Sequence, residues 1–279
     1  MDVHVALPNG HAGVTIEQLL EITEAAEELG FAGVWPLDHV LVGPDLRERY
    51  SWVIEPLTLL AYLAARTRRI RLGTSIIVLA MRNPFVVAKQ AATLDLLSGG
   101  RLTLGLGAGY SEPEFRNVGA AGVWTTRGQR LDEAIELFRH LWSGSSEAFN
   151  GRFYAYDEGW FGPLPPQGAR LPILIGGHSE AALKRAATLG DVWQSTSLGP
   201  EEFKPKAEWV RANAGSRHVE IGARTILTGN PDEVLARVKQ YQAAGAEHVC
   251  AYFGKQPQDF VPAMRAFARE VMPALASKG

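Results

Sequence analysis

The chain has 279 residues, 46% hydrophobic and 21% charged, enough to bury one large α/β core and far from the composition of a disordered polymer. Its 28 basic and 30 acidic residues leave a net charge of -2, which gives no electrostatic footprint for nucleic acid or an anionic membrane and leaves small molecules as the expected partners. Cys250 is alone, which excludes an internal disulfide and multi-cysteine metal sites, and no leader or membrane-length apolar run is present, so a cytoplasmic protein is expected.

The predicted elements alternate strand and helix. Val3–Leu7 reads as a strand running into Pro8-Asn9-Gly10, and Thr15 with Gln18 forms a capping box for a helix closed by Gly30. Phe31–Leu37 is the second strand; its helix starts at Glu55-Pro56 and runs to Thr67, where the arginines at 66, 68, 69 and 71 complement the helix dipole. Ile70–Leu79 is a long β-branched third strand, followed by Asn83 and Pro84 as cap and first residue of a helix ending at Ser98-Gly99-Gly100. Arg101–Gly107 is the fourth strand, and Leu131, Ile135, Phe138 and Trp142 mark one face of the fourth helix. Residues 143–171, rich in Gly, Pro and aromatics and containing the hairpin-like Phe149–Tyr154, read as an insertion over one barrel face that sets the substrate. The last strands are Pro172–Ile175, Asp191–Thr196, Val219–Leu227 and His248–Phe253, with Asn230-Pro231-Asp232-Glu233 capping the seventh helix. Eight such units predict a closed (β/α)8 TIM barrel with an insertion after the fourth helix, as a single domain over 1–279.

In such a barrel the chemistry lies at the C-terminal ends of the strands. Asp38-His39 is the most reactive pair there: the carboxylate can orient the imidazole, and His39 is the candidate proton donor or acceptor. No second ligand recurs at metal spacing nearby, so no metal is expected. Gly176-Gly177-His178-Ser179 joins an apolar strand to a helix start, where free N–H groups and the helix dipole can receive a phosphate; a plain glycine turn is the other reading. Ala181 breaks the likeness of 177–181 to a G-x-S-x-G nucleophile elbow. Gly105–Gly109 fails as a dinucleotide fingerprint because its third glycine is misplaced, yet flat backbone at Gly107, Ala108 and Gly109 would admit a planar ring. Cys250, inside the last strand, reads as a buried, inert thiol.

These residues, with Leu29-Gly30-Phe31 through Trp35, Glu55-Pro56-Leu57, Arg71-Leu72-Gly73-Thr74-Ser75, Arg82-Asn83-Pro84, Ser98-Gly99-Gly100-Arg101-Leu102, Arg127-Gly128 and Gly190-Asp191-Val192-Trp193, resemble the luciferase-like monooxygenase superfamily, and more closely its coenzyme F420-dependent (deazaflavin) branch. The resemblance implies a flavin-type ring near Asp38 and His39, a supporting bulge at Thr74, Ser75 and Ile76 with a non-proline cis peptide, further contacts from Gly107, Ala108, Gly109 and Thr196, and a phosphate on Gly176, Gly177, His178 and Ser179. The implied activity is hydride transfer between coenzyme F420 and a small organic substrate by a homodimeric enzyme. FMN-dependent monooxygenation is the alternative, and a non-catalytic flavin-binding barrel a third. Tyr110 stands where some deazaflavin sugar dehydrogenases place an acidic proton donor, so their relay is not expected, and the chain is shorter than the two-subunit luciferases, which argues against light production.

Overall fold

The computed structural model describes residues 1–276. Its strands are β1 (Asp2–Ala6), β2 (Gly33–Trp35), β3 (Arg71–Gly73, resuming at Ile77–Val78), β4 (Leu102–Gly107), β5 (Ile173–Gly176), β6 (Val192–Thr196), β7 (Glu220–Ile226) and β8 (His248–Tyr252). Each pairs in parallel with its neighbours in sequence, and β8 returns to β1, so the cylinder closes as predicted. Closure leaves no sheet edge exposed.

Among the described residues, eight helices of ten or more residues surround it: α1 (Ile16–Glu28), α2 (Pro56–Arg66), α3 (Pro84–Ser98), α4 (Arg127–Trp142), α5 (Glu180–Leu189), α6 (Pro200–Asn213), α7 (Pro231–Ala243) and α8 (Phe260–Glu270). Local chemistry sets their ends. Both predicted capping boxes form, Thr15 with Gln18 and Asn230 with Glu233, and Gly99 takes the left-handed conformation that stops α3. Between barrel and helices lies an apolar shell that includes Leu60, Leu63, Leu104, Phe138, Phe203 and Val249, all fully buried; each such side chain contributes about 1.5–3 kcal/mol. Among the described residues no helix is long and apolar enough to cross a membrane.

Rings fill the N-terminal half of the barrel interior. His4 stacks on Trp35 at 4.1 Å, and both meet His248 edge-on. Burial, with His248 and Arg71 beside it, holds the His4 imidazole well below its ordinary pKa.

One expectation is corrected. The third strand is broken, because Thr74 turns its hydroxyl into the ladder, donating to the Gly105 carbonyl (2.8 Å) and accepting from the Gly105 N–H (2.9 Å). The Ser75–Ile76 peptide that follows is cis. Residues 143–171 do carry a short hairpin, Phe149–Asn150 with Ala155–Tyr156. That segment lies against α3 and α4: the Glu133 carboxylate accepts from the N–H groups of Arg152, Phe153 and Tyr154, and Gln167 donates to Asp95. Its rings reach the starts of those helices, with Arg130 over Phe153 at 4.6 Å and Phe85 meeting Tyr156 at 6.1 Å.

Candidate active site

The C-terminal strand ends enclose a cavity of about 880 Å³. His39, Asp38, Ser75, Ile76, the 107–109 and 176–179 turns and Thr196 all line it. Thr74 does not: it is fully buried in the β3–β4 ladder, so its part is to shape the bulge.

The glycines act differently from the flat surface expected of them. A Cβ on Gly107 or on Gly176 would come within 2.6 Å of the Ile76 side chain. Both positions are therefore vacated for Ile76, which is seated in the barrel mouth and, with Val78 and Ala108, forms an apolar floor. Beneath that floor Ser75 is fixed from two sides, since its hydroxyl donates to Gln194 Oε1 (2.5 Å) and its carbonyl accepts from the Arg224 guanidinium. Arg224 also donates to the Tyr252 hydroxyl.

His39 is oriented by Glu114 and not by its neighbour Asp38. Glu114, 2% exposed, places one carboxylate oxygen 2.8 Å from His39 Nδ1 and accepts the Val40 N–H on the other at 2.7 Å. Ser111 holds the short helix that carries Glu114, accepting the Glu114 N–H as its N-cap. A carboxylate only accepts, so Nδ1 carries the proton and Nε2 is left as the acceptor of a ring that lines the cavity. Tyr50 stacks on that ring at 4.2 Å, and Tyr110 meets it edge-on at 6.0 Å. Tyr110 is 64% exposed as a residue, but desolvation of its hydroxyl beside Tyr50 pushes the phenol up to about 12, which makes it a neutral donor.

Asp38 faces the other way. Its carboxylate takes the Val78 N–H (3.0 Å) and pairs with Arg82 (2.7 Å), which also reaches Glu55 (3.2 Å). Burial pushes the Asp38 carboxyl up, and Arg82 opposes the push. The network ties the end of β2 to the resumed β3 and so braces the floor.

At the opposite wall the 176–179 turn leads into α5. Gly177 sits at φ +113°, a conformation side chains rarely adopt. Its N–H is committed to the Gln194 carbonyl (3.1 Å), so it is unavailable to a ligand. The Ser179 hydroxyl caps α5 by accepting from Ala182. The N–H groups of Glu180 and Ala181 in the first turn have no partner within the helix, and the positive end of its dipole lies behind the 176–179 turn that lines the cavity. Arg185 nearby is tied to Asp132 and to the Gly128 carbonyl.

Sequence reasoning missed Glu114, Gln194, Arg224 and Tyr50. Arg224 carried a signal, a charged residue in the middle of a barrel strand, at the register of Thr196 and Cys250. Glu114 carried none, because it meets His39 across 75 positions of chain.

A closed parallel barrel with an apolar floor, a carboxylate-held imidazole and a helix N-terminus around one cavity at its C-terminal face has the layout of a barrel enzyme. The chain belongs to the luciferase-like monooxygenase family, whose profile matches residues 1–219, and thus to a superfamily of oxidoreductases and monooxygenases. It is 30% identical to the pyrimidine monooxygenase RutA of Variovorax paradoxus, over 92% of this chain and 74% of that protein. It is 27% identical to the F420-dependent glucose-6-phosphate dehydrogenase of Amycolatopsis mediterranei, over 94% and 95%. The crystal structure of monooxygenase RslO1 from Streptomyces bottropensis shares the fold, with a TM-score of 0.86 at 23% identity over 99% and 100% of the two chains.

Proposed function

We propose that the chain is an F420-dependent oxidoreductase that transfers a hydride between the deazaflavin and a small organic substrate. The observation that carries this reading is that the Ile76 floor, the His39–Glu114 pair and the free amides of α5 open into one cavity. The residues fit the group: a planar ring can lie on Ile76, Val78 and Ala108, and a phosphate can sit at the amides of His178 and Ser179.

When bound, the deazaflavin supplies the carbon that gives or takes the hydride. The chain supplies position and proton handling. Glu114 fixes the tautomer of His39, so that Nε2 accepts a proton from a substrate hydroxyl and returns it in the reverse direction. Ser75, held by Gln194 and Arg224, keeps the floor in place, and Tyr110 offers a hydrogen bond from the rim.

The glucose-6-phosphate dehydrogenase relative supports the deazaflavin, because it aligns along nearly the whole of both chains. The pyrimidine monooxygenase relative favours the second reading, an FMN-dependent monooxygenase using the same cavity. Titrating the apo-protein with coenzyme F420 and with FMN, followed by cofactor fluorescence, separates the two. Saturable binding of F420 at lower concentration than FMN is expected, and a preference for FMN overturns the first reading. The homodimer and the cytoplasmic setting belong to the same proposal, and sedimentation of the purified chain checks the first.

A further inference from the structure

The opposite end of the barrel holds a second group of titratable side chains that the cavity does not use. His4 on β1, Glu220 at the start of β7 and His248 at the start of β8 each present one ligand atom, and these atoms lie within 4.8 Å of one another. His248 is fully buried and His4 is 4% exposed, while 39% of the Glu220 side chain is exposed, so the group is reached from the N-terminal mouth.

Hydrogen bonding leaves this group incomplete. His248 Nδ1 donates to Glu220 Oε1 at 2.6 Å. His4 has no part in that bond: its Nδ1 is enclosed without a partner, and its ring contacts are the stack on Trp35 and the edge of His248. A buried imidazole without a partner costs free energy that an apolar ring of the same shape would not. The backbone is also cleared for these rings, since a Cβ on Gly222 would collide with His248 and one on Gly33 would lie 2.6 Å from His4 Nδ1.

We propose that His4, Glu220 and His248 form a site for a divalent transition cation of the zinc type. Two imidazoles and a carboxylate are a recurrent zinc set, with water completing the shell. Zinc takes such ligands at about 2.0–2.2 Å, and Glu220, whose side chain is 39% exposed, is the member free to adjust toward the two buried rings. The cation enters in place of the Nδ1 proton of His248, which moves to Nε2, so the ring stays neutral. That proton then needs an acceptor. The buried Gln194 amide lies 3.5 Å from Nε2, and turning it over presents its oxygen to His248 and its NH2 to the Ser75 hydroxyl, the arrangement expected behind a metal-bound histidine. Arg71 is the opposing charge, close enough to act on both His4 and Glu220; its guanidinium is held by the Leu102 carbonyl and the Thr103 hydroxyl. The site joins β1, β7 and β8 where the cylinder closes, so the cation would stabilise closure and take no part in the cavity chemistry.

The test uses the full chain, stripped with chelator, dialysed against micromolar Zn2+ and assayed for bound metal, with Co2+ as a visible-absorption probe. One equivalent per chain, tetrahedral Co2+ bands and a raised melting temperature are expected. Glu220→Gln, with its fold checked by circular dichroism, should weaken uptake by about tenfold or more, and His4→Leu should do the same if His248→Ala fails to fold. The surface pair His218 and Glu247 is the control. No uptake by the wild type, or uptake that survives Glu220→Gln and His4→Leu but is lost in His218→Ala, overturns the proposal.

Discussion

Replacing Glu114 separates a carboxylate that merely packs from one that sets the state of His39. Two donors depend on it, the Val40 N–H at 2.7 Å and His39 Nδ1 at 2.8 Å, and Glu114 itself is 2% exposed. Hydrogen bonds to a charged acceptor contribute about 1.5–3 kcal/mol each, so Glu114→Ala should cost about 3–6 kcal/mol. Against a total stability of about 5–15 kcal/mol that variant is close to unfolding. Glu114→Gln is the informative change. Its amide oxygen still accepts the Val40 N–H, but its NH2 now faces Nδ1, which can only answer by giving up its proton and moving it to Nε2. The expected cost is about 1–2 kcal/mol, or roughly 3–6 °C for a domain of this size. The catalytic loss should be larger than the stability loss, about a hundredfold, because Nε2 has changed from acceptor to donor. Long-range 1H–15N correlation of the imidazole nitrogens, with His39 assigned by its own substitution, reads the tautomer directly. Finding the same tautomer in wild type and Glu114→Gln, or an unchanged melting temperature in Glu114→Ala, would refute the reasoning.

Other outcomes follow from the same geometry. His39→Ala should slow turnover at least a hundredfold and leave cofactor affinity within a few-fold, as measured by steady-state kinetics beside fluorescence titration. Ser179→Asp keeps an excellent N-cap for α5, so the melting temperature should hold, while a carboxylate at the phosphate position should weaken either cofactor by about tenfold or more; unchanged affinity would remove that turn from the site. Burial pushes the Cys250 thiol up to about 12, so it stays protonated between pH 6 and about 10, and iodoacetamide should label it only after denaturation. Phe153→Ala should lower the melting temperature by removing the ring that Arg130 covers at 4.6 Å and, because Phe153 does not line the cavity, leave substrate preference alone, which a substrate panel on the variant checks.

Much of the scaffold could be read in advance because its signals are local. Thr15 with Gln18, Asn83 with Pro84, and Asn230 with Glu233 fix helix starts within four residues of chain, and Gly99 fixes an end. The cavity was legible as a list of strand-end turns for the same reason. What stayed hidden depends on contacts across the barrel. Asp38 sits beside His39 in sequence yet serves Val78 and Arg82, and the true partner of His39 arrives from a short helix after β4. Gly107 and Gly176 read as room for a ligand, and only the position of Ile76 shows which side chain fills that room. Residues 143–171 have a composition suited to a substrate loop, yet none of them is among the residues that line the cavity.

A crystal structure of the chain saturated with coenzyme F420 bears most directly on the central reading. The account expects the ring against Ile76 with His39 at its edge, and the phosphate at the amides of His178 and Ser179 where α5 begins. A ring bound elsewhere, or a phosphate away from that helix start, would contradict it.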